Sequence, residues 1–308
     1  GKQEVLKGVE SGIFYREKDG SVWVDLTDEG LDKKVLIRAD GTSVYMTQDI
    51  GTAILRFRDF PALKQLIYTV GNEQNYHFKV LFIILRKLGY AWAEECKHLS
   101  YGMVELPTGK MKSREGRVVD ADDLIEEMRD TARSKAEELG KLDDFSEEEK
   151  EELYSVIGLG ALKYYILKVD PKKQITFNPE ESIDFAGNTG PFIQYTHARI
   201  KTLLSKADNV SNEIDLNIDI SETEKNIVHD LYRYGEVLET AVKELNPAHL
   251  ANYCYELVKG YNFMYQTIPI LKEEDGEKRK FRLYLSECVA RQIKDAMQLL
   301  GITVPDRM

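Results

Sequence analysis

The hydrophobic pattern of this chain changes once, near Ala121, from alternating strands and helices to helices alone. Before that point, strand-like apolar runs such as "LKQLIYTVG" precede runs with helical spacing such as "NYHFKVLFIILRKLG". After it, the long apolar patterns have helical spacing. A strand–helix–strand order predicts a parallel sheet with crossover helices, so the sequence predicts an α/β region followed by an all-α helical bundle.

Local signals predict where several elements turn or end. Asp19–Gly20 and Asp40–Gly41 are Asp-Gly pairs beside alternating apolar residues, which is typical of tight β-turns. Gly89 follows a helical pattern and predicts its C-terminal end. Ligands bind at the carboxyl ends of parallel strands, and here the segments "GNEQNYH" and "YGMVELPTGKMKSREG" follow two predicted strands.

A domain boundary is predicted between Gly140 and Ser146, which gives domains 1–142 and 143–308. Ser146 and Glu149 have the spacing of a capping box at the start of a helix. The segment "GLG" at Gly158–Gly160 has no strand before it and lacks a third glycine. It therefore predicts close helix packing rather than a dinucleotide site.

Composition excludes several classes of protein. The longest apolar run, "VLFIIL", is far shorter than the roughly 20 residues that a membrane span needs, and no signal-peptide pattern is present, so we expect a soluble cytoplasmic chain without membrane contact. The three cysteines lack CxxC spacing, which predicts neither a disulfide framework nor a metal site. A net charge of -11 argues against nonspecific binding to polyanions, so any contact with nucleic acid must be local.

Three stretches carry candidate functional residues, and each also has a plain structural interpretation. "GKMKSREG" could hold phosphate or could be an exposed basic turn, with equal weight on spacing alone. Asp49, near Tyr45 at the start of a predicted helix, is by itself best interpreted as a helix cap. His77, which follows Gln74 near a helix start, is by itself a capping or packing residue more often than a catalyst.

Taken together, four blocks resemble the class I arginyl-tRNA synthetases. They are, in order, "DGTSVYMTQDIGTA", "IYTVGNEQNYHFK", "YGMVELPTGKMKSREGRVV" and "GNTGPFIQYTHARI", and the resemblance covers nearly the whole chain. It implies the second part of a Rossmann-like catalytic domain with the mobile loop called KMSKS in this class. A helical anticodon-binding domain, named for its DALR motif, follows.

The resemblance implies the formation of arginyl-adenylate from arginine and ATP, and transfer of the arginyl group to tRNA. ATP would be a substrate accompanied by Mg²⁺, and no tightly bound cofactor is expected. Cations around the leaving pyrophosphate matter more than a protein nucleophile in such chemistry. The candidates for this role are Lys112, Ser113 and Arg114. Residues that align with the ATP pocket are His77, Gly102, Met103, Val104, Lys110 and Lys112.

The resemblance also implies the residues that bind arginine and tRNA. A guanidinium needs a carboxylate to accept its fork and an aromatic ring to lie against, and Asp49 and Tyr45 supply both. Gln74 aligns with a third contact to arginine. On the first helix of the anticodon-binding domain, Phe192, Tyr195 and Arg199 recur at helical spacing and would meet unstacked bases, although aromatic residues at this spacing are about as often core residues.

The chain departs from the family pattern in three places. The loop has Lys-Met-Lys-Ser where the class has Lys-Met-Ser-Lys, and Phe192 stands where tyrosine is more frequent. The five histidines are widely separated, so the HIGH signature is absent. We therefore expect a C-terminal part of a monomeric arginine ligase that is inactive alone, cut only at its N-terminal end because "LLGITVPDRM" resembles the family's C-terminus. A non-catalytic tRNA- or RNA-binding module derived from a synthetase is the alternative, and a helical interaction protein is a weaker third.

Overall fold

The computed structural model of the chain describes residues 1–105, 120–139, 142, 144–207, 210, 213–215 and 217–308. The described residues form two compact units, Gly1–Gly102 and Met103–Met308. The first unit mixes strands and helices, and the second is mostly helical. The predicted fold class, α/β followed by all-α, is confirmed.

The first unit contains three helices, five strands and three short 3₁₀ turns. In chain order its elements are α1 (Lys2–Glu10), β1 (Tyr15–Arg16), β2 (Val22–Val24), the 3₁₀ turn Thr27–Glu29, β3 (Lys34–Ile37), α2 (Tyr45–Asp59), β4 (Leu66–Gly71), the 3₁₀ turn Asn72–Gln74, α3 (Asn75–Lys87), the 3₁₀ turn Ala91–Glu95 and β5 (Cys96–Tyr101).

Strands β1, β2 and β3 form an antiparallel sheet whose first turn is the predicted one. Gly20 has a φ of 90° and Gly41 a φ of 80°, a left-handed conformation that favours glycine. The Asp19 carboxylate accepts hydrogen bonds from the backbone N–H and the hydroxyl of Ser21, which closes the first turn. Both predicted Asp-Gly turns are confirmed.

Strands β4 and β5 are parallel and joined by α3, with Leu66 opposite Cys96 and Gly71 opposite Tyr101. The predicted strand–helix–strand crossover is therefore confirmed. Gly89 has a φ of 85° directly after α3 and ends that helix as predicted. Because the strands are in register, their carboxyl ends meet at one edge of the sheet.

The second unit is built on seven helices of eight residues or more among the described residues. Its elements are β6 (Val104–Glu105), α4 (Ala121–Leu139), α5 (Glu147–Leu167), β7 (Ile175–Thr176), α6 (Pro179–Ser182), α7 (Gly190–Ser205), α8 (Glu222–Tyr232), α9 (Tyr234–Glu244), α10 (Ala248–Thr267) and α11 (Gly276–Leu299). A continuous core of buried side chains from α7, α8, α10 and α11 holds the bundle together.

Helix α5 begins and packs as the sequence predicts. Ser146 accepts from the backbone N–H of Glu149, and the Glu149 carboxylate accepts from the backbone N–H of Ser146. A Cβ atom on Gly158 would lie 2.7 Å from the carbonyl oxygen of Met128 on α4. One on Gly160 would lie 2.4 Å from the Gln194 amide nitrogen on α7. The predictions of a capping box and of close helix packing are both confirmed.

The segment predicted as the domain boundary, residues 140–146, lies within the second unit, between α4 and α5. Helix α4, which the prediction places in the first domain, packs along α5 in the helical unit. Strand β6 pairs in parallel with β7, with Val104 opposite Ile175, a pairing that the sequence did not predict.

Among the described residues, no helix combines the length and the apolar character that crossing a membrane requires.

Candidate functional site

The carboxyl edge of the β4–β5 sheet carries the first group of predicted site residues. Gly71 ends β4, the 3₁₀ turn Asn72–Gln74 follows, and α3 begins at Asn75. A Cβ atom on Gly71 would lie 3.7 Å from the Tyr101 ring at the end of β5. The structure thus brings the segment after β4 beside the end of β5, as expected for a parallel sheet.

Helix α2 presents Tyr45 and Asp49 one turn apart. Tyr45 is the first residue of the helix, and its side chain is 81% exposed. The buried hydroxyl of Thr47 donates to the carbonyl of Leu36 and fixes this end of α2 against β3. Residues four apart lie on one helix face, so the ring and the carboxylate face the same way.

The interpretation of Asp49 as a helix cap is wrong. The N-cap residue of α2 is Val44, and no side chain caps this helix. Asp49 lies in the second turn, where the first-turn backbone N–H groups are out of its reach. Its carboxylate Oδ2 lies 2.7 Å from Nε2 of His77 on α3. Asp49 therefore has a tertiary partner, which contacts one of its two carboxylate oxygens.

His77 lies in the first turn of α3 and contacts Asp49 of the predicted arginine pocket. It also belongs to the segment that aligns with the ATP pocket. Its ring meets the ring of Phe78 edge-on, with centroids 5.7 Å apart. The side chains of His77 and Asp49 are 25% and 41% exposed, so the pair lies at the surface of the unit. Gln74, which ends the 3₁₀ turn, is exposed near the start of the same helix.

Tyr68 on β4 adds a buried polar group close to this pair. Its hydroxyl is buried, with no hydrogen-bond partner among the described residues. Burial raises the pKa of Tyr68 to about 12, with smaller contributions from Cys96 and Asp49, while Arg56 opposes them. The ring packs against Phe78 and Phe82. The Tyr68 side chain is therefore uncharged at physiological pH and lies close to the Asp49–His77 pair.

The remaining residues that align with the ATP pocket divide between the units. Gly102 closes the first unit, and Met103 and Val104 open the second. The Met103 carbonyl accepts from the backbone N–H of Ile175, 3.0 Å away. Residues 106–119 lie outside the described residues, and with them the loop positions Lys110, Lys112, Ser113 and Arg114.

Helix α7 carries the predicted tRNA-binding residues on its half-buried face. Phe192 packs against the core of the bundle, and its ring lies 6.0 Å from that of Tyr255. Tyr195 meets the Phe185 ring edge-on at 6.5 Å. Phe192 thus has the packing role that aromatic residues at helical spacing commonly have.

Arg199 is held in a network that the sequence did not reveal. Its guanidinium carbon lies 4.7 Å from the Tyr195 ring centroid and 5.2 Å from that of Tyr265 on α10. The guanidinium donates to the side-chain carbonyl of buried Asn262 at 2.6 Å. Asn262 in turn donates to the Thr196 hydroxyl. The cation therefore contacts two aromatic rings and is oriented by its hydrogen bond to Asn262.

Tyr195 also lines an apolar cavity of about 200 Å³ in the second unit. Its lining residues come from α4, α5, α7 and the segments near them: Ala136, Leu142, Leu153, Ile157, Phe185, Tyr195 and Met308. Met308 is 100 residues or more from the others along the chain, so no local pattern could have indicated its place here.

The chain is similar to known proteins over its whole length. The family described as the catalytic domain of class I tRNA synthetases (R) matches residues 2–178, and the DALR anticodon-binding domain matches residues 193–308. The arginine–tRNA ligase of Flavobacterium psychrophilum is 60% identical over 308 residues, and that of Parabacteroides distasonis 58% over 312. The chain spans about half the length of these relatives, 51% and 52%. The structure of the Thermus thermophilus arginyl-tRNA synthetase superposes on this chain with a TM-score of 0.87 at 27% sequence identity. The superposition covers 100% of this chain and 58% of the Thermus thermophilus chain.

Proposed function

This chain belongs to the arginyl-tRNA synthetase family, and from that premise we propose that the protein containing it attaches arginine to its tRNA. The reaction proceeds through arginyl-adenylate formed from arginine and ATP. This chain supplies the pocket for the arginine side chain, the loop with the Lys-Met-Lys-Ser sequence and the anticodon-binding domain. The observation that carries the proposal is the half-exposed Asp49 carboxylate, which lies one helical turn from the exposed Tyr45 ring and contacts His77 at the start of α3.

The chemistry of this pair fits a guanidinium. A carboxylate accepts two parallel N–H bonds from the planar fork, and an aromatic face lies against its plane. Among the described residues, His77 bonds to Oδ2 of Asp49, so Oδ1 and a second lone pair of Oδ2 can accept from the guanidinium. Gln74 extends the acceptor and donor set from the start of α3. A lysine ammonium has no planar fork, so it could neither form two parallel hydrogen bonds with the carboxylate nor lie flat against the ring.

The nucleotide is bound by the other predicted residues. Lys110, Lys112, Ser113 and Arg114 bring cationic and hydroxyl groups together within five consecutive positions of the sequence, which suits the phosphates of ATP and the departing pyrophosphate. By the family resemblance, His77 and the backbone of Gly102–Val104 align with the residues that contact adenosine. Mg²⁺ arrives with ATP as part of the substrate. The part of the chain that the structure describes holds no group of three or more His, Cys, Asp or Glu placed to bind a metal, and Mg²⁺ on phosphates needs only one or two carboxylates.

We further propose that residues 1–308 do not catalyse the reaction alone. The HIGH signature needs two histidines close together, whereas His77, His98, His197, His229 and His249 are all far apart in sequence. The alternative, a tRNA-binding module without catalysis, would need no arginine pocket. The pairing of Tyr45 with Asp49 on one face favours the ligase.

The α7 face is proposed to contact tRNA through Tyr195 and Arg199. Stacking on aromatic rings and guanidinium contacts are how proteins bind single-stranded loops. We expect residues 1–308 to bind arginine tRNA weakly and in a salt-sensitive way, and Arg199→Ala to weaken this binding about 5- to 150-fold, from the loss of roughly 1–3 kcal/mol. Binding titrations at two salt concentrations measure the effect.

The control must separate loss of contact from loss of fold, because Arg199→Ala also removes the partner of Asn262. Circular dichroism melting reports the fold. Arg291→Ala on α11 removes the same charge from an exposed site and is the matched variant. Equal tRNA affinity for wild type and Arg199→Ala would show that this face is not the RNA surface.

A further inference from the structure

We infer that Gln194 and His197 are positioning residues for tRNA, because their buried side chains fix the rotation of α7 about its own axis. The inference rests on the proposed function, since α7 is the helix that carries Tyr195 and Arg199. Neither Gln194 nor His197 needs to touch RNA. Each acts through the backbone of the 301–306 segment, which follows α11.

Helix α7 is buried around most of its circumference. Within residues 191–200, all of which the structure describes, the partly exposed side chains are those of Phe192, Tyr195 and Arg199. Gln194 and His197 are 0% and 2% exposed. With 3.6 residues per turn, these two side chains lie about 150° around the helix from the Tyr195–Arg199 pair. The buried polar pair is therefore on the opposite side of α7 from the proposed RNA contacts.

The Gln194 side chain joins α7 to two other elements. Its amide nitrogen donates to the carbonyl of Val156 on α5 at 3.0 Å and to the carbonyl of Thr303 at 2.8 Å. Gly160 on α5 leaves room for it, because a Cβ atom there would lie 2.4 Å from the same nitrogen. Both N–H groups of the amide are thus used, and a rotation of α7 would break both bonds.

His197, nearly one turn further along α7, makes a second link to the 301–306 segment. Its Nδ1 lies 2.9 Å from the carbonyl oxygen of Pro305. A carbonyl oxygen only accepts, so Nδ1 carries the proton and donates. Burial lowers the pKa of His197, against opposing effects of the Pro305 carbonyl and Asp306, and this favours the neutral imidazole.

The 301–306 segment is itself held in place. Ile302 and Val304 are 3% and 6% exposed and belong to the core of the bundle. Lys163 on α5 donates to the carbonyl of Gly301 at 2.6 Å. The carbonyls of the residues directly after Ile302 and Val304 are the two that accept from α7. The segment is therefore a fixed reference for the rotation of α7.

A rotation of α7 would displace the proposed RNA contacts. The outer radius of a helix is about 5–6 Å, so a rotation of about 20° moves the end of a side chain by roughly 2 Å. A hydrogen bond tolerates only a few tenths of an ångström around its preferred length. Loss of the bonds from Gln194 or His197 should therefore weaken tRNA binding although no RNA contact has been removed.

The test is binding of arginine tRNA by the natural protein that contains this sequence, measured by titration at fixed salt. His197→Leu removes the donor, keeps a side chain of similar size and should raise Kd about tenfold. His197→Asn restores an N–H donor near the position of Nδ1 and should bind close to wild type. Gln194→Met removes the bonds to Val156 and Thr303 at constant length and should raise Kd by a similar factor.

Tyr253→Phe is the matched control. It also removes one side-chain donor to a backbone carbonyl, that of Asp230, between α10 and α8 of the same bundle. It should leave Kd unchanged, whereas a general loss of stability would raise Kd here as well. Thermal melting followed by circular dichroism shows that each variant is folded.

A double variant links the effect to the RNA contacts. His197→Leu combined with Arg199→Ala should raise Kd by less than the product of the two single effects, because a displaced Arg199 has less binding to lose. Wild-type Kd in His197→Leu or Gln194→Met, or equal loss in His197→Asn and His197→Leu, would overturn the inference. The proposed α7 contact would stand in those cases if Arg199→Ala alone weakened binding. Unchanged affinity for Arg199→Ala would overturn both.

Discussion

Asp49→Asn is expected to reduce kcat/KM for arginine about 30- to 700-fold in the natural protein that contains this sequence. The substitution keeps size and one acceptor oxygen but removes the charge that faces the guanidinium. Loss of a charged hydrogen-bond partner costs about 2–4 kcal/mol of recognition. The fold-change follows from tenfold per 1.4 kcal/mol. Steady-state kinetics with arginine as the varied substrate measure it, at saturating ATP and tRNA.

A matched substitution on the same helix controls for effects on α2 itself. Asp59→Asn removes a carboxylate from the C-terminal end of α2, where Asp59 is paired with exposed Arg58. It should leave the kinetics for arginine unchanged. Because Val44 and not Asp49 is the N-cap, asparagine at 49 has no capping role to preserve. Wild-type KM and kcat for Asp49→Asn would remove Asp49 from the arginine pocket.

Arg282→Met is expected to lower the free energy of unfolding of the second unit by about 3–5 kcal/mol, as breaking a buried ion pair typically does. Arg282 on α11 is nearly fully buried, and so is its partner Glu224 on α8. The guanidinium donates to Glu224 at 2.6 Å, to the Pro269 carbonyl at 2.8 Å and to Glu273. Methionine leaves the buried Glu224 carboxylate without its cation. Urea unfolding followed by circular dichroism measures the loss.

The pH dependence of this loss identifies its cause. Burial opposes ionisation of Glu224, but hydrogen bonds from Ser221 and Arg282 outweigh it and hold its pKa below the ordinary value. A lowered folded-state pKa gives stability that is present above the unfolded value, near 4.5, and is lost as pH falls through the folded value. The difference in the free energy of unfolding between wild type and Arg282→Met should therefore become smaller below about pH 4.

A substitution in an exposed pair on α8, the helix that carries Glu224, is the control. Lys225→Met breaks the contact of Lys225 with Glu222, a pair in which both side chains are mostly exposed. Such pairs contribute little, so its unfolding transition should stay close to that of wild type. If Arg282→Met were as stable as Lys225→Met at pH 7, the ion pair would not be what holds α11 to α8.

The sequence predicted those features that depend on neighbouring residues. The Asp-Gly turns, the end of α3 at Gly89 and the capping box at Ser146 each follow from residues within a few positions of one another. Close packing at Gly158 was predicted because the Gly-Leu-Gly segment has no preceding strand and no third glycine, which excludes a dinucleotide-binding site. The fold class could likewise be predicted from hydrophobic periodicity, because periodicity is a pattern of residues close together in the sequence.

The features that the sequence did not predict depend on contacts between distant residues. The β6–β7 pair joins Val104 to Ile175 through strands of two residues, too short for any periodic signal. The bond between His77 and Asp49 depends on how α2 and α3 pack, which no motif encodes. The cap interpretation of Asp49 failed because α2 begins at Tyr45, which places Asp49 in the second turn of the helix. Arg199 is likewise oriented by Asn262 and Tyr265 on a different helix.

Amino-acid-dependent exchange of labelled pyrophosphate into ATP decides whether this site activates arginine. The natural protein that contains the sequence is expected to exchange with arginine at least about 100-fold faster than with lysine or citrulline, since neither presents a charged planar fork to Asp49. Residues 1–308 alone are expected to show no exchange, because the chain lacks the paired histidines. Exchange by the natural protein with lysine as fast as with arginine would contradict the assignment of the pocket. Exchange by residues 1–308 alone would contradict the proposal that they are inactive without the HIGH histidines.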